Sequence, residues 1–182
     1  MYIWSYFIMP HKQDSELLVW FYKQTKNSLS DICSGAIVNI LVTNIDPPFC
    51  HVELQFDDGM AISVTKNHKV SMRKRSFDPM YYTCIKIPVS LEVCIHAKSE
   101  ANAYINQPFG YIGNNTTFCS KLVCKILKSS MAVKGLGDPN FTSPSTLYKQ
   151  LVSKTTQDIL SKPEYFPIGF KSEMIHLLAV TP

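Results

Sequence analysis

The sequence predicts an α+β fold, an antiparallel sheet packed against helices, in a single domain spanning residues 1–182. Two observations carry this. Strand-like segments run together between Ala36 and Ile87, with helical patterns before and after the block rather than between strands. Within the block, His51–Phe56 and Met60–Thr65 flank Asp57-Asp58-Gly59, the pattern of a hairpin.

The elements follow in order. Tyr2 to Met9 reads as a first strand, stopped by Pro10. Asp14 or Ser15 is placed to cap a helix reaching Lys26, with Leu17, Leu18, Phe21 and Tyr22 on one face. Ala36 to Thr43 is β-branched and reads as a buried strand, broken by Asp46-Pro47-Pro48. The hairpin pairs Leu54 with Ile62 and Val52 with Val64, because that register matches apolar with apolar. Lys69–Arg75 and Tyr81–Ile87 add two strands. Ser90 to Asn106 predicts a helix with Ala97, Ala101 and Tyr104 on one side, ended by Pro108. A second helix opens at the segment NNTTFCSKLVCKIL, and a third runs from Ser145 to about Val152.

Composition narrows the function classes. Hydrophobic residues are 46% and charged residues 18%, enough apolar material for a real core. A net charge of +4 is too weak to imply a nucleic-acid partner. Arg73-Lys74-Arg75 is the only dense basic run and reads as a solvated strand face. The six cysteines lack the paired spacing of a zinc site, so no metal and no cofactor is expected. They read as reduced thiols in a cytoplasmic, reducing compartment. The apolar start has no basic leader and no small-residue cleavage site, so neither a signal peptide nor a transmembrane segment is expected.

Two segments carry chemistry. Alternation puts His51, Glu53 and Gln55 on one strand face. The hairpin register sets Ser63 opposite Glu53 and Thr65 opposite His51. The imidazole therefore has Glu53 as an orienting partner, or Thr65 or Ser63 across the pair. A bland alternative is the solvent side of an edge hairpin. Further on, Cys119, Leu122, Val123, Ile126 and Leu127 recur at helical spacing. Thr116 or Thr117 is a natural N-cap, which puts Cys119 in the first turn. There, free backbone N–H groups and the helix dipole favour thiolate and offer an oxyanion site. The bland alternative is a small core residue on an apolar stripe.

These segments together resemble the circularly permuted NlpC-like branch of the papain-fold superfamily. That branch includes bacterial YaeF/YiiX-type proteins, relatives of lecithin:retinol acyltransferase, and small proteins of phages and large DNA viruses. The resemblance rests on LLVWFYKQTK ahead of HVEL with its acidic-glycine turn, PFGYIG leading into FCSKLV, and a later SPSTLYKQL. It covers Ser15 to Leu151. It implies a permuted papain-like fold with His51 as base and Cys119 as nucleophile, and a viral setting in host cell or virion. Glu53 is the expected third residue, as the only carboxylate on the histidine face. Lys121 stands where an acidic residue often follows the cysteine in that group.

The expected function is a cysteine-dependent acyl hydrolase, an amidase or peptidase, acting through a thioester. One alternative is a lipid-directed acyltransferase or thioesterase, with Tyr2, Trp4, Tyr6, Trp20, Phe21 and Tyr22 lining an apolar groove. The other is a non-catalytic viral binding protein keeping the fold. The expected partner is accordingly a peptide, amide or acyl-lipid substrate.

Overall fold

The computed structural model describes residues 14–23, 49–66, 68–111 and 115–160. The expected strands at Tyr2–Met9 and Ala36–Thr43 lie outside the described residues. Among the described residues, five antiparallel strands form one sheet in the order β4-β3-β2-β1-β5. They are β1 Asp14–Lys23, β2 Phe49–Gln55, β3 Met60–Ser63, β4 Ser71–Lys74 and β5 Tyr82–Ser90. Helices α1 Leu91–Ala103, α2 Cys119–Ser129 and α3 Pro144–Leu160 follow, with a 3-10 turn at Pro139–Phe141 before α3.

The predicted helix at Asp14–Lys26 is instead strand β1, paired with β2 on one side and β5 on the other. Leu17, Val19 and Phe21 are fully buried, while Leu18, Trp20 and Tyr22 face the other way. An apolar run with two covered faces satisfies helical and strand periods alike. The β-branched Val19 and the aromatic neighbours fit the pleated surface better.

β2 is an interior strand, so the bland reading of a solvent-facing edge hairpin fails. Every residue from Phe49 to Gln55 is buried. The predicted register holds where β2 meets β3, at Leu54–Ile62 and Gln55–Ala61. Gly59, at φ 80°, makes the turn that a Cβ would strain. The ladder then ends. The expected pairings Val52–Val64 and His51–Thr65 lie past it, which leaves the Val52 edge open to another partner.

On the opposite side of the sheet from His51, Val52, Leu54, Phe21 and Ile62 join Leu122, Val123, Ile126 and Leu127 of α2 in one core. Ser90 caps α1, accepting from the Val93 N–H at 3.4 Å, and Ala97 and Ala101 bury fully. Small side chains there let α1 pack on both β1 and α2. Pro88 is tolerated because, among the described strands, β5 lies at the edge of the sheet. Ser143 accepts from the Thr146 N–H at 3.1 Å to cap α3, and Pro144 takes the first helical position. Buried Ser145 ties α3 to the start of β2, accepting from Phe49 N–H at 3.0 Å and facing its carbonyl at 3.3 Å.

Candidate active site

α2 begins at Cys119 itself. The expected Thr116 or Thr117 cap is not used: Phe118 is the N-cap and supplies no side-chain hydrogen bond. Thr117 is fully buried, and its hydroxyl lies 3.5 Å from the Phe118 carbonyl. The entry to the helix is pinned from behind. Gly110 N–H donates to Thr117 O at 3.0 Å, and Thr117 N–H donates to Pro108 O at 3.1 Å. A Cβ on Gly110 would sit 2.8 Å from the Thr116 Cβ, so this close crossing requires glycine. An uncapped start leaves the first backbone N–H groups of α2 without the usual side-chain acceptor.

The thiol of Cys119 meets β2 at its open edge. The backbone N–H groups of Val52 and Ser120 donate to the sulfur, and the His51 side chain hydrogen-bonds it. Burial pushes the Cys119 thiol up, but the His51 charge, the His51 hydrogen bond and the two backbone donors outweigh it, so the thiol is held below its ordinary 9.0. His51 responds in kind. Burial pulls its imidazole down, yet the Cys119 charge and hydrogen bond, then Glu53, carry it from 6.5 up to about 9. Each group favours the ionised partner, the condition for a thiolate–imidazolium pair.

Glu53 stands beside the imidazole. Its Oε1 lies 3.5 Å from His51 Nε2. With Nε2 turned toward Glu53, Nδ1 is the nitrogen left to serve the thiol. The groups that set the proton affinity of His51 are Cys119 and Glu53; neither Ser63 nor Thr65 is among them. His51 is 3% exposed and Glu53 0%, so both sit in a low-dielectric pocket rather than on a wetted face. Among the described residues, Glu53 Oε2 is buried without a hydrogen-bond partner, and His51 Nε2 faces Glu53 Oε1 at the outer limit of a hydrogen bond.

Sequence reasoning missed one residue here. Arg73 and Lys74 are exposed, as expected of a solvated strand face, but Arg75 turns inward. Its Nη1 lies 2.5 Å from Glu53 Oε1. The signal was the alternation past Lys74, which is overridden by the end of β4. Around this cluster Trp20 stacks on Phe77 at 4.7 Å, and Tyr82 meets both Tyr22 and Phe77 edge-on. Of the aromatics expected to line a groove, Phe21 is core, packed on Phe49 and Tyr148. Tyr2, Trp4 and Tyr6 lie outside the described residues. A separate trio of Phe109, Tyr111 and Phe118 sits at the α2 entry, with Tyr111 half-exposed.

The other cysteines divide. Cys84, Cys94 and Cys124 carry free thiols like Cys119. Burial pushes the Cys84 thiol up to about 11 and raises Cys124. Cys50 is disulfide-bonded, so the expectation of reduced thiols throughout does not hold there. Among the described residues no three His, Cys, Asp or Glu side chains converge as a metal site would require. No described helix is long and apolar enough to cross a membrane. No family model, no curated protein and no solved structure matches the chain.

Proposed function

We propose that the protein is a cysteine-dependent acyl hydrolase, with Cys119 as nucleophile, His51 as base and acid, and Glu53 as the orienting carboxylate. The observation that carries this is the uncapped start of α2, where the Cys119 thiol hydrogen-bonds His51 and is held below its ordinary value. The order of elements, histidine strand before cysteine helix, supports a permuted papain-like fold of the NlpC-like kind, in a viral or phage-type member.

The chemistry runs in two halves. The Cys119 thiolate adds to an amide or ester carbonyl, and backbone N–H groups at the α2 start stabilise the oxyanion. The tetrahedral intermediate collapses to a thioester as imidazolium His51 gives its proton to the leaving amine or alcohol. Neutral His51 then takes a proton from water, whose oxygen attacks the thioester. The acid leaves, and the ion pair is restored. An alcohol or amine in place of water makes the same site an acyltransferase. The half-exposed Tyr111 ring beside Phe118 offers an apolar surface near the sulfur, which favours an apolar acyl group for that second reading.

The test is turnover of one activated thioester and one activated amide, with products separated as free acid or transferred acyl group. Wild type releases free acid; His51→Ala abolishes release, Glu53→Gln lowers it, and Thr65→Val changes little. Dominant transfer to an added alcohol or amine makes it an acyltransferase. Turnover that survives Cys119→Ser rejects Cys119 as the nucleophile; none in folded wild type rejects the enzyme reading in favour of a binding protein.

A further inference from the structure

We infer that Arg75 is a positioning residue of this site: through the Glu53 carboxylate it aims the His51 ring at Cys119 and balances the charge of the buried cluster. The inference rests on the cysteine–histidine reading and extends it to a residue outside the reacting pair.

Arg75 is fixed on every side. Its backbone N–H donates to Gly59 O at 3.2 Å, and its carbonyl accepts from Gln55 Nε2 at 2.8 Å. The guanidinium lies over the Phe77 ring at 5.0 Å and reaches the Tyr82 hydroxyl at 3.5 Å. Phe77 is itself stacked on Trp20. The Arg75 side chain keeps 26% exposure while its partner Glu53 keeps 1%. A surface ion pair has no reason for such an enclosure. A buried carboxylate next to a histidine does.

Charge explains the arrangement. The reacting state holds thiolate Cys119, imidazolium His51, carboxylate Glu53 and guanidinium Arg75, which sum to zero. Without Arg75 the set carries one uncompensated negative charge among largely buried groups, a costly state. Glu53 relieves it by taking a proton. A carboxylate accepts from Nε2, whereas a carboxylic acid donates to it. Donation to Nε2 would place the ring proton on Nδ1, the nitrogen that must accept from the Cys119 thiol. Loss of Arg75 would thus turn the histidine into the wrong tautomer without touching either reacting atom.

Among the described residues, the other titratable groups facing the cluster are tyrosines. They are Tyr22 from β1, Tyr82 from β5 and Tyr111 from the loop before α2. Burial holds Tyr82 and Tyr111 above the ordinary tyrosine value of 10.0, so neither competes for the proton near neutrality.

The experiment follows the His51 ring nitrogens by NMR across pH in wild type, Arg75→Met, Arg75→Lys, Glu53→Gln and the double variant Arg75→Met/Glu53→Gln. Thermal midpoints and the rate of Cys119 alkylation are measured beside it. Arg75→Met is expected to lower the His51 titration midpoint by about one pH unit or more, which cuts the imidazolium fraction about tenfold above that midpoint. Arg75→Lys, which keeps the charge, recovers most of the loss. In the Glu53→Gln background Arg75→Met adds nothing, because the carboxylate it acts through is gone. A His51 titration unchanged in folded Arg75→Met overturns the inference, as does an equal shift in both backgrounds. If Arg75→Met unfolds, Arg75→Gln takes its place: a lowered His51 midpoint that Arg75→Lys restores supports the inference, and an unchanged midpoint overturns it. The titration needs no substrate. A wild type with Arg75-dependent His51 titration but no turnover therefore sinks the acyl-transfer reading and leaves this one standing.

Discussion

Replacing His51 by alanine isolates what the histidine does for the thiol. With the imidazole gone, the Val52 and Ser120 N–H groups still donate to the sulfur, but the largest effect on it is burial, which pushes the thiol up from its ordinary 9.0. A thiol at that value is about 1% thiolate at pH 7, since each pH unit is a factor of ten. If the ion pair keeps most of Cys119 ionised at pH 7 in wild type, the variant should react about a hundredfold more slowly. The assay is alkylation by iodoacetamide between pH 5 and 9, read site by site by mass spectrometry. Cys119→Ser controls for Cys84, Cys94 and Cys124. The fast phase should vanish in Cys119→Ser and move to high pH in His51→Ala. An unchanged rate in folded His51→Ala would refute the reasoning, because burial alone cannot favour a thiolate.

The pair also shapes stability against pH. The raised value of His51 stabilises the fold below its unfolded 6.5 and loses that effect as pH rises toward about 9. The lowered Cys119 contributes the opposite way, present above 9.0 and lost as pH falls through its folded value. Between roughly 6.5 and 9 folded and unfolded chains each hold one proton on the pair, so the advantage of wild type over Cys119→Ser should be flat. It should shrink below pH 6.5, as thermal midpoints would record. Ser145→Ala leaves Phe49 N–H buried without its acceptor and should cost about 1–3 kcal/mol in denaturant melts. Because Ser145 anchors the strand that carries His51, turnover should fall with it. Met131 holds φ 58° just past α2, with its N–H bonded to Lys128 O at 3.1 Å. Met131→Gly should stabilise by about 1 kcal/mol, seen as a raised midpoint with unchanged activity.

The hairpin, the Leu54–Ile62 register, the face shared by His51 and Glu53, and the α2 stripe were all legible, because each rests on local period and turn chemistry. Three features were not. Leu17 to Tyr22 misled because a short apolar run fits two periods, and only its pairing with Gln55 and Lys86 on either side decides between them. The burial of His51 depends on β2 lying inside the sheet, a long-range fact that no window of residues contains. Arg75 was hidden for the same reason. Its partner is 22 residues away, and the chain turns inward only where β4 ends. The absent helix cap is a different case. Thr117 has the right chemistry one residue too early, and Phe118 takes the cap position because the loop is pinned at Gly110 and Pro108.

The central claim is that Cys119 carries the acyl group. Intact mass after rapid mixing with an activated thioester, followed by peptide mapping, reads this directly. The account predicts a mass increase of one acyl group, mapped to Cys119, appearing within the first turnover and decaying as free acid forms. It should be absent in Cys119→Ser and slow to form in His51→Ala. Acyl groups spread over Cys84, Cys94 and Cys124 as readily as over Cys119, or none on Cys119 while product accumulates, would contradict it.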